Sequence, residues 1–177
     1  MVEVVGMRFL HEFRDQDSED HFPDDELSSL KTAIETIGKK SFLDAKRPTD
    51  ITFDSELAQL LPNYSVDGRT EYRLWNDSKH TVDLYNSEKR IAVEIEKTER
   101  KNVWKDLWKF ARASSPGGVD RIEYGCLILP ENYSTTKRDH NVYKQSINVL
   151  KFTATVLPLR DIALIGYRDP RPNVSDR

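Results

Sequence analysis

A chain of 177 residues with 37% hydrophobic and 32% charged side chains can bury one real core and is too apolar to be disordered. Its lone cysteine, Cys126, excludes a disulfide framework and fits a reducing compartment. Apolar runs such as Cys126–Leu129 are far too short for a membrane span, and the N-terminus lacks the basic-then-apolar pattern of a secretory leader. The expectation is a single soluble, cytoplasmic domain over residues 1–177, with 169–177 as a frayed tail and no membrane contact.

The net charge of −3 conceals an uneven distribution. Residues 1–60 hold 14 acids and 7 bases, whereas residues 61–177 hold 16 acids and 20 bases. Between Lys97 and Arg112 six bases face Glu99 and Asp106. A solvated helix face is the plain account of that run, but it also suits a local contact with a polyanion.

Met1–Phe13 opens with β-branched residues and predicts a strand. Asp24 or Asp25 then caps a helix carrying Leu27, Leu30, Ile34 and Ile37 at three- and four-residue spacing, ended by Gly38. A short helix with Leu57, Leu60 and Leu61 follows and closes at Pro62. Thr70–Trp75, Thr81–Tyr85 and Arg90–Lys97 predict strands, the last two joined by the turn Asn86-Ser87-Glu88-Lys89. A helix over Thr98–Ala113, a strand over Arg121–Leu129, a helix over Asp139–Phe152 and a strand over Asp161–Tyr167 complete the chain. This order predicts an α/β fold: a central mixed β-sheet flanked by helices.

Period two sorts the strand at 90–97. Ile91, Val93 and Ile95 take one face; Ala92, Glu94 and Glu96 take the other. A hairpin centred on Ser87–Glu88 sets position 83 opposite 92, which puts Asp83 on the acidic face, diagonal to Glu94. Exposed edge charges that discourage aggregation are one account of such alternation. A site for a hard divalent cation is the other, because a cation relieves the repulsion of three converging carboxylates. On the helix that follows, Val103, Trp104, Leu107, Trp108, Phe110 and Ala111 share an arc of about 160°, beside an arc of about 80° holding Lys101, Lys105, Lys109 and Arg112. An acidic hairpin leading into a basic stripe suits a phosphodiester substrate.

Asp83, ten intervening residues and Glu94-Ile95-Glu96 resemble the motif of the PD-(D/E)XK nucleases, and within them the BamHI/BglII/BstYI group of type II restriction endonucleases. The likeness extends to the opening strand and helix, the Thr52–Pro62 segment, Val82-Asp83-Leu84 with Val93–Glu96, and Asp161–Gly166. It implies a restriction-endonuclease-like fold and Mg²⁺-dependent double-strand cleavage of DNA by a homodimer that pairs through helices. The target it implies is palindromic, with a GATC centre as the hypothesis, and a cognate DNA methyltransferase would be a companion. Carried over, Asp83 and Glu94 bind Mg²⁺ with the Ile95 carbonyl, and Glu96 binds metal or deprotonates the attacking water. Glu71 is a candidate outer carboxylate. Arg100, Lys101, Asn102 and Lys105 are the candidate DNA contacts, to bases or to phosphates. The wider superfamily has Lys where this chain has Glu96, as in the BamHI type, so the general base stays open. Two other readings also stay open: a loosely specific PD-(D/E)XK nuclease of repair or phage defence, and a non-catalytic binding domain on the same fold.

The other chemistry-bearing signals are thin. His11, His21, His80 and His140 show no HxH or HExxH spacing, and no GxSxG, Walker A or GxGxxG motif occurs. Cys126, on an apolar strand, reads as a core residue.

Overall fold

The computed structural model describes residues 8–13, 20–38, 53–64, 71–74, 80–96, 101–115, 121–131, 133–134, 139–140 and 142–168. The expectations for residues 1–7 and for the tail at 169–177 lie outside these. Strand β1 (Arg8–Phe13) precedes helix α1 (Asp24–Gly38), and α2 (Phe53–Leu60) is followed by a 3-10 turn at Pro62–Tyr64. Then come β2 (Leu84–Asn86), β3 (Ile91–Ile95), α3 (Lys101–Ser114) and β4 (Tyr124–Pro130). The short pair β5 (Tyr133–Ser134) and β6 (Asp139–His140), α4 (Val142–Thr153) and β7 (Asp161–Arg168) complete the order.

The main sheet runs β1-β7-β4-β3-β2. Its three inner strands, β7, β4 and β3, are parallel to one another, and the edge strands β1 and β2 pair antiparallel. Parallel strands covered on both faces carry continuous apolar sequence, and Gly125–Pro130 is buried throughout.

Two cores lie on opposite sides of this sheet. Against one, α1 buries Leu27, Leu30, Ile34 and Ile37, and α2 buries Leu57, all packed with Ile91, Val93, Ile95, Cys126 and Ile165. Against the other, α3 and α4 bury Val103, Leu107, Phe110, Tyr143 and Leu150 with Ala92, Leu127, Ile162 and Leu164. Gly125 and Gly166 permit that second packing. A Cβ at Gly125 would stand 2.8 Å from the Phe110 ring, and one at Gly166 would stand 2.7 Å from the Tyr143 ring.

Several boundaries differ from the sequence-based expectation. The hairpin turn is Ser87–Arg90 rather than 86–89. Asn86 stays in β2, buried, with its Oδ1 accepting the Lys89 N–H at 3.1 Å, while Arg90 takes the positive φ of 55° that closes the turn. Leu84 therefore pairs with Val93, and the same register continued by one residue sets Asp83 directly opposite Glu94 instead of diagonal to it. Within 70–75 the described residues form only an isolated bridge, Tyr72 to Val82. Helix α4 starts at Val142 because Asp139 and His140 pair with Ser134 and Tyr133.

Candidate active site

Glu94 projects from β3 toward α3, where its side chain is only 3% exposed. A carboxylate buried that deeply needs partners. The Lys109 ammonium, delivered from α3, donates to Glu94 Oε1 at 2.7 Å and to Oε2 at 2.8 Å. The same Nζ lies 3.3 Å from Asp106 Oδ1. One helical turn separates these two α3 residues, so a single turn supplies both a base and an acid to the face carrying Glu94.

Asp83 precedes β2 and is half-buried; its Oδ2 accepts the Ile95 N–H at 2.6 Å. Glu96 follows β3, with its N–H donating to the Ile128 carbonyl at 3.0 Å and its Oε2 accepting from Asn102 Nδ2 at 3.0 Å. The Tyr167 hydroxyl donates to the Glu96 carbonyl at 3.3 Å. Backbone and side chain of Glu96 are thus both held.

Electrostatics mark the group as crowded with negative charge. Burial, opposed by the Ile95 N–H and reinforced by Asp54, raises the Asp83 carboxyl to about 6. Burial and then the neighbouring Asp106 raise Glu96 to about 8, against the Asn102 hydrogen bond. Burial, with Asp83 and Asp106 nearby, pushes Glu94 well above the ordinary carboxylate range. Burial also raises Asp106. For Lys109, burial works against the charge, but Glu94 and Asp106 outweigh it and hold the ammonium above its ordinary value.

The alternation read from sequence matches these positions: Ile91, Val93 and Ile95 lie in the core beneath α1 and α2, and Ala92 in the core beneath α3. Asp83 lies within electrostatic reach of both Glu94 and Glu96, and Asp106 of all three. Of the DNA-contact candidates, Arg100 and the Lys101 side chain lie outside the described residues, Asn102 is engaged with Glu96, and Lys105 is exposed. Glu71 is exposed, and its N–H donates to the Asp83 carbonyl at 3.0 Å.

Asp54, Asp106 and Lys109 enter the site without having been singled out as site residues in the sequence. Asp106 did carry a signal: at 100° per residue it falls between Ala113 and Phe110, inside the buried arc of α3. That arc is rotated by about 80° from the one the apolar pattern predicts, so Trp104 and Trp108 are 46% and 74% exposed. Lys109 accordingly leaves the solvent-facing basic stripe for the interior.

The donor set is all oxygen, which suits Mg²⁺ or Ca²⁺ over softer ions. Among the described residues, Asp106 Oδ2 is buried with no hydrogen-bond partner, and four raised carboxyls outnumber the two lysines, Lys109 and Lys105, that act on them there. In chemistry and charge, a hard divalent cation fits. In geometry, no three ligand-type side chains among the described residues stand ready around a common point, and Lys109 occupies the space between Glu94 and Asp106. Among those residues, no helix is long and apolar enough to cross a membrane.

Comparison with solved structures finds this fold in restriction endonuclease BglII, crystallised in complex with a DNA 16-mer. The match has a TM-score of 0.61 and covers 89% of this chain and 75% of that one, at 11% identity. Likeness at that identity is likeness of fold, and it bears out the restriction-endonuclease-like α/β architecture expected from the sequence. No curated protein matches the sequence. A family model described as "Putative halobacteria restriction endonuclease" matches residues 2–167. That match spans nearly the whole chain, including the hairpin with Asp83 and Glu94, and the protein therefore belongs to this restriction endonuclease family.

Proposed function

We propose that the protein is a Mg²⁺-dependent type II restriction endonuclease that cuts both strands of a palindromic DNA site as a homodimer. The observation that carries the reading is the juxtaposition of Asp83, Glu94 and Glu96 on one side of the β2–β3 hairpin, in a chain of a restriction endonuclease family. Asp83 and Glu94, with the Ile95 carbonyl, are the residues that would hold the metal. Mg²⁺ bound there would supply positive charge to the phosphodiester and the attacking water. Glu96, held by Asn102, would take the proton from that water once its own carboxyl is ionised. In-line attack leaves a 5′-phosphate and a 3′-hydroxyl.

On this reading Arg100, Lys101 and Lys105 contact DNA, with Asn102 bonded to Glu96 in the free protein. BglII, a structural neighbour, was crystallised in complex with a DNA 16-mer, which supports DNA as the substrate here. The exposed Trp104 and Trp108 give α3 an apolar surface for the two-fold contact. A two-fold dimer reads a palindrome, because each subunit meets an equivalent half-site; a GATC centre is the working hypothesis for it. A methyltransferase protecting the same site would be the companion activity.

Incubating the protein with phage DNA and Mg²⁺, then sequencing the ends, tests the reading. Discrete fragments whose ends share a palindrome are expected, with Ca²⁺ supporting binding but no cutting and with Glu94→Ala inactive. Undiminished cutting by Glu94→Ala or Asp83→Ala would remove the site assignment. Ends without a common palindrome would favour a loosely specific nuclease of repair or phage defence.

A further inference from the structure

Lys109 is the cation that α3 sets among the site's carboxylates, and it bonds both oxygens of Glu94, at 2.7 and 2.8 Å. An ammonium on the bisector of a carboxylate takes the approach that a divalent ion would use. Lys109 is nevertheless not locked in. Its side chain is 13% exposed, and on the helix it stands at the border between the buried arc and the face carrying Lys105 and Trp108. Rotation of a four-carbon stem can carry such an ammonium outward while α3 stays where it is.

We propose that Lys109 is an exchangeable counter-ion: it occupies Glu94 in the metal-free protein, yields Glu94 to the divalent cation, and then contacts the phosphate of the bound DNA. The inference rests on the metal-dependent reading above. It makes Lys109 a substrate-contacting residue that also sets metal affinity, because ion and ammonium alternate on one carboxylate. It also accounts for the absence of a ready three-ligand cage among the described residues: that cage forms only when Lys109 leaves.

Calorimetric titration with Ca²⁺ in the absence of DNA tests this on wild type, Lys109→Met and Glu94→Gln. Lys109→Met is expected to bind Ca²⁺ about tenfold more tightly than wild type, since a like charge has gone from the ion's position. Its Mg²⁺-dependent cleavage should fall about 100-fold, with weaker DNA binding in Ca²⁺. On the wild-type protein, an amine-acetylating reagent read by mass spectrometry should modify Lys109 several-fold faster with saturating Ca²⁺, relative to exposed Lys105; this arm decides the matter if Lys109→Met fails to fold. Ca²⁺ binding by Lys109→Met no tighter than wild type, or acetylation of Lys109 indifferent to Ca²⁺, overturns the exchange while Glu94→Gln has lost the ion. Undiminished Ca²⁺ binding by Glu94→Gln instead overturns the metal-site reading, and the exchange with it.

Discussion

Asp83 Oδ2 accepts the Ile95 N–H at 2.6 Å, so a carboxylate at the mouth of β2 caps the end of β3 where a backbone carbonyl would ordinarily serve. The Asp83 carbonyl is committed elsewhere, to the Glu71 N–H. One residue thereby joins two structural duties to the role toward metal proposed for it. Asp83→Asn keeps an acceptor for Ile95 but loses the charge. It should fold with at least wild-type stability at about pH 8, because the raised pKa of Asp83 marks its charge as unfavourable to folding, and it should cleave at least ~100-fold more slowly. Asp83→Ala should be equally inactive and, with the Ile95 N–H unsatisfied, less stable than Asp83→Asn by about 1–3 kcal/mol. Urea unfolding and a plasmid cleavage assay separate the two losses.

The same carboxyls make stability depend on pH in a defined direction. Asp83 moves from 3.8 to about 6 and Glu96 from 4.5 to about 8 on folding. The folded chain therefore holds protons that the unfolded chain has released, and stability falls as pH rises from about 4 to about 8. In metal-free buffer, Tm should drop by several degrees between about pH 5 and about pH 8.5. Millimolar Ca²⁺ should reverse most of that drop at the upper end, by neutralising the same charges. A Tm that rises with pH and ignores Ca²⁺ would contradict this account.

Trp108, 74% exposed beside Trp104 on α3, is large apolar area that the monomer leaves in water. Trp108→Glu should change unfolding free energy by no more than about 0.5 kcal/mol, as surface changes do. It should also convert a dimer to a monomer in light scattering at micromolar concentration. A wild-type monomer, with or without DNA, would remove the dimer from the proposed function.

Asn102 and Lys105 are one turn of α3 apart in position and differ in engagement. Asn102→Ala frees Glu96 and should slow cutting at every site alike, while a relaxed recognition sequence would mean that Asn102 reads a base. Lys105→Ala should weaken binding to all sequences and reduce the salt slope by about one.

Close packing yields a further test. An alanine at 125 brings a Cβ to 2.8 Å from Phe110, an overpacking that should cost about 1–3 kcal/mol in urea unfolding. Phe110→Leu in the same chain should recover part of the loss, because the obstructing ring is gone.

How much of this was legible depends on whether the deciding contact is local. Helix α1 runs Asp24–Gly38 as its acids, its apolar spacing and its glycine indicate, since caps and periodicity are local properties. The alternation of β3 and the acidic face of Glu94 and Glu96 were equally readable. The hairpin register lies two residues from the expected one, with 83 opposite 94 rather than 92, because a turn that ends on Arg90 at φ 55° places a bulky residue where sequence rules expect glycine or asparagine. The β5–β6 pair spans two residues per strand, too few for any period to show. On α3, hydropathy placed Trp104 and Trp108 inward, but burial of Asp106 and engagement of Lys109 with Glu94 turned the helix the other way. That rotation is set by a partner on another element, which composition along α3 does not contain.

Strand β3 faces two unlike neighbourhoods. Ile91, Val93 and Ile95 pack with α1 and α2, while Ala92 and Glu94 meet α3. The layer of α1 and α2 is thus separable, for an engineer, from most of the charged cluster. Volume-conserving exchanges at Leu30, Ile34 or Ile37, all on the far side of the sheet from Lys109 and Asp106, offer a route to a hardier scaffold with its chemistry left alone.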